Sequence, residues 1–165
     1  MKNPNCAFDA EASVQAVGGI IRDTSFSVAH WLFAFNYFQS SLVMPAWFGG
    51  PPISEKRKTC MKRLNAAMIS LNIFVPTLAW SVLLTAQLMK NFNERLLDYY
   101  GFLVLGFEAV LLIEALLLFY AVMKIRIILR KNGLSHRVNV SMISLNATLF
   151  LLQVVGGITW YFNFW

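Results

Sequence analysis

Two residues could do chemistry by type and setting. Glu108 and Glu114 are the only charges in four long apolar stretches of the chain. Both sit in the stretch 99–123, each about 4.5 Å from its middle near Leu111 at 1.5 Å of rise per residue. In a bilayer a charge at that depth costs about 2.5–3.5 kcal/mol on insertion scales, so a function is the default hypothesis for both. A six-residue separation turns them roughly 120° apart on a helix, so they cannot act as a carboxylate dyad. No Lys or Arg lies within any apolar stretch to pair with either one. Burial therefore disfavours the charged form of both.

Polar residues at matching depth are the expected partners. Counting from the stretch ends puts Glu114 level with Asn72, Asn146 and Gln39. Glu108 falls level with Gln153, with His30 somewhat further out. Two such layers could carry protons or cations. They could equally be hydrogen-bonded clamps, and inter-helix bonds of this kind average about 0.6 kcal/mol. For His30 a satisfied hydrogen bond is expected. Asn65 and Asn72 share a helix face at a seven-residue spacing, and Asn139, Asn146 and Gln153 continue the pattern later. An amide facing lipid is unsatisfied, so these faces should point into a bundle. Pro76 also removes the backbone donor to the Asn72 carbonyl.

The elements that must hold these residues are helices. The chain is 58% hydrophobic and 13% charged, with mean hydropathy +0.57. A soluble domain carries about 25% charged residues. This excludes an ordinary cytosolic enzyme, a disordered chain and a collagen-like one. About 20 apolar residues cross a bilayer core. Stretches 24–48, 64–89, 99–123 and 138–162 qualify. The expected fold is all-α: a polytopic membrane bundle of four transmembrane helices in two hairpins. Residues 1–23 precede it, with a short interfacial helix at 10–22 that Gly18 and Gly19 weaken.

Basic residues orient the bundle. Lys56, Arg57, Lys58, Lys62 and Arg63 fall between the first two spans. Lys124, Arg126, Arg130, Lys131 and Arg137 fall between the last two. Only Lys2, Arg22, Lys90 and Arg95 fall on the other side. The bias places both basic loops inside and both termini outside. The net charge of +6 is thus a membrane signature rather than a nucleic-acid one, and the loops attract anionic lipid headgroups. Cys6 and Cys60 fall on opposite sides and cannot pair within one chain.

A repeat supports the two-hairpin scheme. Residues 63–72 and 137–146 agree at seven of ten positions, both copies starting at the basic side. A parallel repeat of this kind relates its halves by an axis along the membrane normal. Convergence on a common way of entering the membrane explains the similarity as well.

No catalytic, metal or cofactor motif is present in the sequence, and none of these is expected to operate. Three functions remain. The first is a non-enzymatic binding or accessory subunit of a larger membrane assembly, with other membrane subunits or copies of itself as partners. The second is a small proton- or cation-coupled transporter using the carboxylates. The third is a fragment or relative of a seven-helix receptor, on topology alone. The aromatic run from Trp160 to Trp165 reads as an interface anchor, closing either a small subunit or one part of a longer polytopic protein.

Overall fold

A computed structural model describes residues 4–88 and 94–134, together with Thr148, Leu152, Val155 and Gly156. Every bounded element among them is a helix: α1 (Pro4–Trp47), α2 (Glu55–Leu88) and α3 (Glu94–Lys131). The fold is all-α as expected, but three helices are bounded rather than four. Of the stretch 138–162, only the four single positions are described, all helical. Asn139, Asn146, Gln153, Arg137 and the second copy of the repeat lie outside the described residues.

The helices are longer than the apolar stretches predicted. α1 runs without interruption through the expected boundary at residue 23. The basic residues from Lys56 to Arg63 occupy the first turns of α2, and those from Lys124 to Lys131 the last turns of α3. They are helical residues, not loop residues. Lys and Arg are good helix formers, and nothing between them and the apolar run breaks a helix. Arg130 and Lys131 also suit the negative end of the α3 dipole.

Glycines stop two of the helices. Gly49 (φ 83°) and Gly133 (φ 71°) adopt the left-handed conformation that closes a helix at little cost to glycine. Gly50 N–H donates back to the Pro45 carbonyl at 2.9 Å, and Leu134 N–H to the Leu129 carbonyl at 3.0 Å. Each is the six-to-one bond of a Schellman cap.

α2 and α3 are long and apolar enough to cross a membrane. α1 was expected to supply a span at 24–48 but is not among these helices. His30, Asn36, Gln39 and four serines dilute its apolar run.

The helices contribute to two compact units. The first comprises Met1–Ala29 and Ile69–Ala109, the second His30–Met68 and Val110–Trp165. The core of the second unit is a narrow seam. On α3 the buried residues Leu111, Glu114, Ala115, Leu118, Ala121, Val122 and Ile125 recur at three- and four-residue steps. Ala34 of α1 packs into a cluster with Leu118 and Val122, and Tyr37 covers it. Small residues at Ala34 and Ala121 let helix backbones approach closely.

Candidate functional site

Glu114 occupies one step of the α3 seam, where the pattern would otherwise place an apolar residue. It is fully buried, and His30 of α1 meets it with Nδ1 2.9 Å from Oε2. The His30 side chain is 8% exposed. The contact takes two net-neutral forms. An imidazolium N–H donates to a carboxylate, or a carboxylic acid O–H donates to a neutral imidazole nitrogen. Sharing one proton between two groups avoids the cost of a lone buried charge. The pair is thus a tie between α1 and α3.

This arrangement corrects the depth assignment. His30 was expected outside the Glu108 level, yet it bonds Glu114, expected on the inner side. Centring each apolar stretch on one midplane assumes that all helices share an axial register. α1 begins at Pro4 and is displaced along its axis relative to that assumption, by about nine residues or 13 Å between His30 and Glu114.

The residue after His30 makes a second tie within the same unit. Trp31 is buried and its indole N–H donates to Asn65 Oδ1 of α2 at 2.8 Å. Its ring also packs on Phe35, centroids 5.4 Å apart. Successive residues of a helix point about 100° apart, so two neighbours on α1 reach two different helices.

The first unit handles its polar groups differently. Pro76 leaves the Asn72 carbonyl without its helical donor. Ser27 of α1, fully buried, donates its hydroxyl proton to that carbonyl at 3.0 Å. A serine from a neighbouring helix thereby repairs a proline break. The Asn72 side chain is buried beside it. Trp80 of α2 donates its indole N–H to Asp23 Oδ2 at 2.8 Å. Arg22 holds the other oxygen of Asp23 at 2.7 Å and lies 5.9 Å over the Trp80 ring. The Asp23 carboxylate raises the pKa of the Arg22 guanidinium above its ordinary value, chiefly by that hydrogen bond. Gly19 makes room for the indole, since a methyl group built there falls on the ring. None of the Trp80 contacts was anticipated. The signal available was Gly19 eight residues from Ser27 on one face of α1.

Glu108 lies half-buried in the first unit and makes no hydrogen bond or ion pair with the described residues. Among the basic residues, Lys58 Nζ pairs with Glu55 at 2.6 Å, and Lys124 lies 5.8 Å over the Tyr120 ring. Lys56, Arg57, Lys62, Arg63, Arg130 and Lys131 are exposed. Gln39, expected beside Glu114, instead lines a cavity with Asn65.

Comparison with protein-family models, with curated proteins and with solved structures finds no match to this chain. Its function is therefore argued from the arrangement itself.

Proposed function

We propose that this chain is a non-enzymatic integral membrane protein that serves as a binding or accessory subunit of a larger membrane assembly. The supporting observation is where the apolar surface lies. In the most apolar windows of α2 and α3, only 17% and 22% is buried within the chain. The core helix of a soluble protein would be covered by its own fold. Here Phe102, Ile113, Leu116 and Phe119 of α3 are exposed, an apolar face that calls for lipid or a partner helix. In this reading four helices span the membrane in two hairpins, basic ends inside and amino terminus outside. The His30–Glu114 tie and the Trp31–Asn65 tie hold the helices together. Glu108 is then a bonding group offered to a neighbouring subunit.

A second reading rests on the same pair. A buried contact between two ionisable side chains, His30 and Glu114, is the kind of station that proton-coupled transport uses. Native mass after gentle detergent extraction, with identification of co-migrating polypeptides, decides between them. A defined complex with another membrane polypeptide is expected. A lone chain of 18.7 kDa that conducts protons in vesicles would overturn the subunit reading in favour of transport.

A further inference from the structure

The second unit contains a cavity of about 320 Å³ that the reading above leaves unused. That is a small ligand site by volume. Its apolar lining comes from Phe35 and Val43 of α1, Met61 of α2 and Ile53 of the connection between them. Its polar lining comes from Gln39, Asn65, Lys58 and Lys62.

The polar groups are donors in need of an acceptor. An indole N–H can only donate, so its contact with Asn65 is made to the carbonyl oxygen of that amide. The Asn65 NH₂ group is left over and has no partner among the described residues. Lys58 is engaged by Glu55, while the Lys62 ammonium has no ion pair among the described residues. One uncommitted cation and two amides therefore share a small cavity with four apolar side chains. Exposed Trp47 and Phe48 stand at the same end of α1, as aromatic residues do at the level of lipid headgroups.

We propose that this cavity binds one anionic phospholipid. Lys62 and the Asn65 amide engage the phosphate, and Gln39 the glycerol or headgroup oxygens. Phe35, Val43, Ile53 and Met61 cover the first carbons of an acyl chain. The basic first turns of α2 concentrate anionic lipid nearby, and the cavity selects one molecule from it. The inference rests on the membrane reading above.

The test is native mass spectrometry of delipidated protein titrated with phosphatidylglycerol or phosphatidylcholine. One phosphatidylglycerol per chain is expected, held roughly tenfold more tightly than phosphatidylcholine, as a charge-assisted hydrogen bond supplies. Lys62→Ala should lose about that factor. Ile53→Trp should also lose it by filling the cavity from the connecting segment, with no change of charge. Lys131→Ala removes the same charge from the end of α3 and should stay within about twofold of the parent. Equal losses from Lys62→Ala and Lys131→Ala would overturn the site, leaving only a general surface attraction. Displacement of the lipid by an equal concentration of inorganic phosphate would overturn the lipid assignment. Failure to retain lipid by folded, detergent-dependent protein would overturn the site and leave the membrane reading intact. Folded protein that stays soluble without detergent would overturn both.

Discussion

The two units answer the same problem in opposite ways. Each carries a carboxylate on the apolar helix α3. In the second unit, Glu114 is fully buried and bonded to His30 of α1. In the first, Glu108 is half-buried and bonded to no described residue. The polar contacts around them differ too. The second unit joins helices side chain to side chain, through His30–Glu114 and Trp31–Asn65. The first has one such tie, Trp80–Asp23, and in addition uses a side chain to repair backbone, Ser27 on the Asn72 carbonyl, and packs an indole against a glycine. A buried carboxylate answered within its own chain is a structural tie. Glu108, bonded to no described residue, makes no such tie among them.

The largest expected effect breaks the tie. His30→Leu removes the His30 hydrogen bond from buried Glu114 and should cost about 3 kcal/mol in unfolding measured in a fixed detergent mixture. A cost below about 0.5 kcal/mol would place the contact among incidental ones.

Next come two adjacent glycines in the first unit. Gly19→Ala pushes a methyl group into the Trp80 indole and should cost about 2 kcal/mol. Gly18→Ala meets no atom within 4 Å and should stabilise the chain by up to about 1 kcal/mol. Thermal unfolding of the two variants side by side should show opposite signs; equal signs would contradict the packing of Trp80.

A smaller effect tests the proline repair. Ser27→Ala should cost about 1 kcal/mol. In a Pro76→Ala background, where residue 76 again donates to the Asn72 carbonyl, the same change should cost almost nothing. Comparing the four proteins by denaturation reads this directly. The smallest stability effect belongs to Glu108→Gln, within about 0.5 kcal/mol by the same assay, because no described residue bonds to the carboxylate. Its effect should appear instead as loss of co-migrating polypeptide.

The comparison also shows what the sequence made legible. Long apolar runs in α2 and α3 identified both helices, because a membrane-scale apolar stretch is a composition signal. The Pro76 break was legible for the same local reason: a proline removes one known donor. Its repair by Ser27 was not, because the partner is 45 residues away on another helix. The meeting of His30 with Glu114 was missed because depth counting fixes position along one helix and says nothing of how helices slide past one another. The helix ends were misplaced where basic residues flank apolar ones, since charge marks the membrane boundary and not the end of hydrogen bonding. Gly19 was read as weakening a helix, a local cost that tertiary packing outweighs once an indole fills the space.

The difference between the two carboxylates is tested most directly by the stability of the His30→Leu/Glu114→Leu protein beside the two single variants. If the pair is a tie between helices, removing both partners takes away the buried carboxylate together with the imidazole that answers it. The double variant should then be more stable than either single variant, and close to the parent. Costs that add to within about 0.5 kcal/mol would show that His30 and Glu114 do not act on each other and would contradict the account.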